Sequence, residues 1–305
     1  MKDFGMKVEK TLRHHSKNIV QRYREFSWDP HQSIADSPVF VVGCSRAGTT
    51  LVYKTLSESP ELSSLQRETH DFWADLHPIS NKGFSTHGLS VEDASDNDRQ
   101  TISRYFYGHT GSLQFVDKNN QNGLCVGYLH KLFPNARFVY VKRSPGDNIH
   151  SLIQGWGKAN EFATWSSSLP VNVAVENGKY KRWCFFITEG WKEYLNSPIE
   201  EVCAFQYQAM NEAILDAKEW VPKTQWHEIA YETLIDNPTQ EFEKIFKACD
   251  LPFDHHIKLH CEDVLYKPYN TFSEIRVDKW KDGGNKKKID KILPGITEII
   301  IKMGY

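Results

Sequence analysis

Arg46 stands in a loop bounded by Gly43 and Gly48, with Thr49 and Thr50 directly after the second glycine; Glu68 and His70 follow a short alternating stretch, Lys118 follows a short apolar one, and Arg143 and Ser151 flank a further turn. These residue types favour anion chemistry. Arginine forks two N–H donors onto one anionic group, and hydroxyls add further contacts. Loop glycines let backbone amides approach the anion with no Cβ in the way. A carboxylate at Glu68 or an imidazole at His70 supplies what a binding loop lacks, a group able to take the proton of an acceptor hydroxyl.

The elements that must position these groups are legible around them. Val39 to Val42 is a short apolar run suited to a parallel strand covered on both faces, and Leu51, Val52, Thr55 and Leu56 then recur at helical spacing. A strand that turns through glycine into a helix aims amides and the positive end of the helix dipole at a phosphate or sulfate oxygen. The Gly43 to Gly48 spacing matches the ATP-binding loop G-x-x-x-x-G-K-[ST], but Thr49 stands where that loop has lysine. This counts against a kinase or ATPase. Further strands are expected at Glu61–Gln66, Leu113–Val116, Ala136–Arg143 and Trp226–Ala230, each delivering a candidate residue to the carboxyl edge of the sheet, where open α/β folds place their chemistry.

The string Arg46-Ala47-Gly48-Thr49-Thr50 resembles the 5′-phosphosulfate loop of the sulfotransferases, usually Lys/Arg-Ser-Gly-Thr-Thr. Those enzymes use 3′-phosphoadenosine 5′-phosphosulfate (PAPS) and release adenosine 3′,5′-bisphosphate. The run Phe133 to Pro145, with Ser151 beyond it, resembles the family's 3′-phosphate segment, and Tyr231-Glu232-Thr233-Leu234 resembles its Tyr-Glu-Asp-Leu step. The resemblance implies an α/β fold, a P-loop-like parallel sheet flanked by helices with a helical acceptor lid. It also implies that Arg46, Ala47, Gly48, Thr49 and Thr50 hold the 5′ end of PAPS, Arg143 and Ser151 the 3′-phosphate, and Tyr231 the adenine. Glu68, in a Glu-Thr pair like that of the tyrosylprotein branch, is implied as the base, with His70 as the alternative. Lys118 corresponds to a lysine facing the leaving group. A basic C-terminal loop closes over the 3′-phosphate in the family, often as Arg-Lys-Gly; that string is absent here, and Arg276 and Lys279 are its counterparts.

The 305 residues suit one large domain, residues 38–305, preceded by a helical arm over residues 1–37 and interrupted by a helical acceptor-side insertion at 155–220. Thirty-seven Lys and Arg against 39 Asp and Glu leave no global field to attract nucleic acid or an acidic membrane. No apolar leader opens the sequence, so a cytoplasmic enzyme is expected, acting on a small molecule rather than a polyanion. Its six cysteines form no C-x-x-C pair and read as reduced thiols. His256 and His260 form an i, i+4 pair, but no second ligand pair frames them and no metal is expected. Asp71 to Thr110 reads as a polar surface excursion, and Trp183, Ile187, Trp191 and Tyr194 follow helical spacing. Trp156, Phe162 and Trp165 are candidates for the lid. The acceptor stays open among a hydroxylated natural product, a sugar and a lipid head group. A P-loop kinase and a nucleotide-binding module without catalysis are the competing classes.

Overall fold

The computed structural model describes residues 17–30, 34–266 and 275–305. Four parallel strands form its sheet in the order β2-β1-β3-β4: β1 (Val39–Val42), β2 (Val116–Asp117), β3 (Arg137–Lys142) and β4 (Trp226–Ala230). Alternation along the strands explains why β1 is apolar throughout. Phe40, Val42, Phe138 and Tyr140 enter one core; Val39, Val41, Val139 and Val141 enter the other. Successive side chains point to opposite faces, so a sheet covered on both sides needs no polar positions.

On the valine face lie α1 (Thr49–Leu56), α8 (Pro238–Ala248) and α9 (His255–Asp263), through Val52, Leu56, Phe242, Phe246 and Ile257. The aromatic face is covered by α3 (Asp96–Thr110), α4 (Val126–Leu132), α5 (Pro145–Trp156) and the 20-residue α6 (Ile199–Lys218). Phe106 of α3 stacks on Phe115 with ring centroids 3.8 Å apart. Two shorter helices, α2 (His70–Leu76) and α7 (Tyr231–Asp236), begin at residues singled out in the sequence, and α10 (Lys286–Ile292) and α11 (Thr297–Met303) close the chain.

Several expectations need correction. Glu61–Gln66 is not a strand: Ser63 alone bridges to Phe115, and Tyr53 and Lys54 of α1 draw Ser64 and Gln66 aside by side-chain hydrogen bonds. Asp71–Thr110 is no loose excursion, since it contains most of α2 and all of α3. Only Ile102 and Phe106 of the 15-residue α3 belong to its large apolar core, too few to give a visible period. Trp183, Ile187, Trp191 and Tyr194 do not share a helix; only Trp191–Tyr194 makes a single 3-10 turn. The first three are nonetheless buried, because loop tryptophans here bond to main-chain oxygens: Trp183 donates to Phe186 at 2.7 Å and Trp191 to Phe84 at 2.9 Å. Trp156 is core rather than lid, fully buried and donating to Gln206 Oε1 at 3.0 Å. Residues 17–26 of the arm are helical, while residues 1–16 lie outside the described part. All six thiols are free and buried.

Candidate active site

The carboxyl ends of β1, β2, β3 and β4 open onto one cavity of about 1350 Å³. At one end the loop after β1 is held from outside: Asn148 Nδ2 donates to the Ser45 carbonyl at 2.9 Å, and Arg143 Nη1 donates to the Arg46 carbonyl at 2.9 Å. Arg46 itself takes a left-handed backbone with φ of 69°. Gly48 has φ of 103°, and a Cβ there would lie 2.5 Å from the Tyr231 ring. Only glycine meets both demands. The turn enters α1 with no acidic residue in the first helical turn and no side chain capping it, an arrangement that leaves the helix end electropositive.

Cations gather beside this loop. The Arg143 guanidinium stacks 4.2 Å over the Tyr231 ring, is almost fully buried, and its Nε and Nη2 have no hydrogen-bond partner among the described residues. Arg46 Nε is 3.4 Å from Ser151 Oγ. Lys279 lines the same cavity, its pKa brought down to about 8 by burial and by the like charges of Arg143, Arg46 and Arg276. Burial and Arg143 likewise lower that of Arg46. Arg276 does not line the cavity and pairs with Asp282 at 2.9 Å. A buried arginine with idle donors, among cations that depress one another's protonation, fits a ligand with more than one negative charge. Thr49, Thr50, Ser151 and Tyr231 line the cavity with them, whereas Ala47 is buried and contributes its backbone to the turn.

Asp147 escaped the sequence reading as anything but a turn residue. Its carboxylate accepts from the main-chain N–H of Asp278 at 2.6 Å and of Trp280 at 3.4 Å, and the Trp280 ring lies over Gly146 so closely that a Cβ would not fit. The C-terminal basic segment is thereby fastened to the start of α5, which sets Lys279 beside Arg143.

At the middle of the cavity stands a chain of polar groups. Lys118 Nζ is 3.4 Å from Thr50 Oγ1 and 2.5 Å from Glu68 Oε1. Glu68 Oε2 lies 2.6 Å from His70 Nε2, and His70 Nδ1 is 2.7 Å from Asn119 Oδ1. Burial alone would raise the Glu68 pKa, but Lys118 and His70 outweigh it and hold the carboxyl far below the usual range. A second overlooked residue, Asp117, sets this array. Buried at the end of β2, it accepts from Thr69 Oγ1 at 2.7 Å, Trp73 Nε1 at 3.2 Å and Asn122 Nδ2 at 3.1 Å, pinning the segment that carries Glu68 and His70 to the strand that carries Lys118. A buried acid followed at once by Lys118 was the available signal.

The far end is largely aromatic and apolar, with Trp73, Phe84, Leu89, Phe162, Trp165 and Phe185 on its wall. Phe162 and Trp165, two of the lid candidates, are thus on the cavity wall. Phe185 has φ of 68°, unusual for an aromatic residue, and uses it to accept from Asn120 Nδ2 at 3.0 Å while donating its own N–H to Phe162 O at 2.8 Å. His87 is held neutral, its pKa lowered by burial to about 3.

Residues 38–255 match the model of the Sulfotransferase family (Sulfotransfer_3), well over half of the chain. The chain belongs to the sulfotransferase family. Among solved structures, sulfotransferase STF9 from Mycobacterium avium is similar at 14% identity over 90% of this chain and 80% of its own, with a TM-score of 0.54. The sulfotransferase domain of the Synechococcus PCC 7002 olefin synthase is similar at 15% identity over 92% and 98%, with a TM-score of 0.51. These likenesses show the fold. No curated protein sequence matches the chain. As a sulfotransferase it is an enzyme of sulfuryl transfer, and no helix among the described residues is long and apolar enough to cross a membrane.

Proposed function

We propose that this sulfotransferase moves the sulfuryl group of PAPS to a hydroxyl of a small molecule bound at the aromatic end of the cavity. The observation that carries the reading is the junction of the two anion segments: Arg143, at the end of β3, bonds to the backbone of Arg46 in the loop after β1. PAPS supplies an activated sulfate at one end and a phosphate at the other, and this junction presents cations to both. The idle Nε and Nη2 of Arg143, with Lys279 and Ser151, hold the 3′-phosphate, and Tyr231 faces the base. Arg46, Thr49, Thr50 and the amides at the start of α1 hold the 5′ end. Lys118, next to Thr50, neutralises charge gathering on the transferring group and the leaving phosphate. Glu68 and His70, beyond Lys118 and next to the aromatic chamber, take the acceptor's proton. Nothing covalent is asked of the protein, so position and preset charge supply the rate, as in phosphoryl transfer.

The deciding experiment is an acceptor screen with ³⁵S-labelled PAPS, run beside calorimetry with adenosine 3′,5′-bisphosphate. Labelled product and a saturable heat are expected. No heat at millimolar nucleotide, or turnover of [γ-³²P]ATP without PAPS, would overturn the reading.

A further inference from the structure

His70 sits between two partners whose geometry fixes its protons. The Asn119 amide is oriented by the main-chain N–H of Gln121, which donates to its Oδ1 at 3.2 Å. The oxygen of that amide therefore faces His70 Nδ1, 2.7 Å away. An amide oxygen only accepts, so Nδ1 carries a hydrogen. The neutral ring then has a lone pair at Nε2, directed at Glu68 Oε2 across 2.6 Å. Two lone pairs do not approach to that distance. One proton lies between them, and Lys118 occupies the other carboxylate oxygen at 2.5 Å.

We propose that Asn119 is a positioning residue that locks His70 with Nε2 toward Glu68, so that the two side chains form one proton acceptor instead of alternative bases. The inference rests on the sulfuryl-transfer reading above. Its reactive form is the pair without the bridging proton. The acceptor's O–H proton passes to the pair as the new S–O bond forms, while the S–O bond to the nucleotide phosphate breaks and leaves its electrons on the phosphate oxygen. The observed geometry is that of the pair after it has taken the proton. Charged or titratable groups facing it are Lys118 and Asp117 from the end of β2, Arg46 from the anion loop and His87 from the cavity wall. Asn119 is buried, only 3% exposed, and stands in the cavity wall with its amide oxygen turned to His70.

The test is ¹⁵N-histidine NMR on the full chain, with His70→Gln assigning the resonance. The wild type is expected to show hydrogen on Nδ1. Asn119→Ala should release the Nδ1 tautomer, while adenosine 3′,5′-bisphosphate binds as before. Asn119→Asp, which keeps an acceptor at Nδ1, should restore the tautomer. In transfer from ³⁵S-PAPS to 4-nitrophenol as probe acceptor, Asn119→Ala should lower kcat about tenfold or more at unchanged KM for PAPS. Asn119→Asp should recover most of that loss. Hydrogen on Nε2 alone in the wild type, or equal loss of kcat in both variants, overturns the proposal. Absent transfer by the wild type to this and every screened acceptor, with the Nδ1 tautomer intact, overturns the sulfuryl-transfer reading instead.

Discussion

Arg143 and Gly48 meet through one ring. The guanidinium lies over the face of Tyr231, and the same ring fills the space where a Gly48 side chain would be, so the strand that ends at Arg143 and the turn that ends at Gly48 are packed against a shared surface. Arg143→Lys keeps the charge but loses the fork that grips Arg46 O and leaves two donors for a ligand. A charge-assisted hydrogen bond is worth about 1.5–3 kcal/mol, so affinity for adenosine 3′,5′-bisphosphate should fall roughly ten- to a hundredfold. Calorimetry checks this; an unchanged Kd would remove Arg143 from the binding site.

Gly48→Ala should cost more than a lost contact. The left-handed backbone and the Tyr231 ring both exclude a methyl group, so the turn must shift, and strain of about 1–3 kcal/mol is expected from the backbone alone. Thermal unfolding with and without the bisphosphate should show a lower Tm and little stabilisation by ligand.

Lys279 makes binding depend on pH. Its pKa of about 8 in the free protein reflects burial first and neighbouring cations second. A bound phosphate favours the ammonium and raises that pKa. Affinity should then be flat below about pH 8 and fall as pH rises through 8 toward the raised value, with protons taken up on binding. Calorimetry at pH 8 to 9 in buffers of different ionisation enthalpy reads the uptake directly, and Lys279→Met should abolish it.

Glu68→Gln removes the carboxylate between Lys118 and His70 while keeping its volume. Loss of a positioned base is expected to lower kcat by about 10²–10⁴. The bisphosphate should still bind within a few-fold, because Glu68 stands beyond the nucleotide-facing groups. A variant as active as the wild type would rule out both the base role and the shared proton.

Much of this arrangement was legible because it rests on local rules. The β1 turn and the β3 strand were readable from glycine spacing and from apolar runs that end in a charged residue, while Tyr231 came from its resemblance to the family's Tyr-Glu-Asp-Leu step. Asp147 and Asp117 were not, since their partners lie 131 and 48 positions away and no local pattern announces a carboxylate that will be buried by distant amides and hydroxyls. The supposed 183–194 helix failed for a related reason: large side chains at intervals of about four are buried without a shared helix, Trp183 bonding the Phe186 carbonyl of its own loop and Trp191 the distant Phe84 carbonyl. Glu68 and His70 could be named from sequence as candidates, but the 2.6 Å contact between them could not, since it depends on how the chain after Gln66 is pinned to β2.

The carboxylate of Asp147 takes hold of the C-terminal segment by its peptide N–H groups. Such a clasp holds the main chain at 278 and 280 while the Trp280 ring packs over Gly146, so the path of the chain, rather than a signature tripeptide, sets an ammonium beside Arg143. A search of related chains by Arg-Lys-Gly alone would overlook any built the same way.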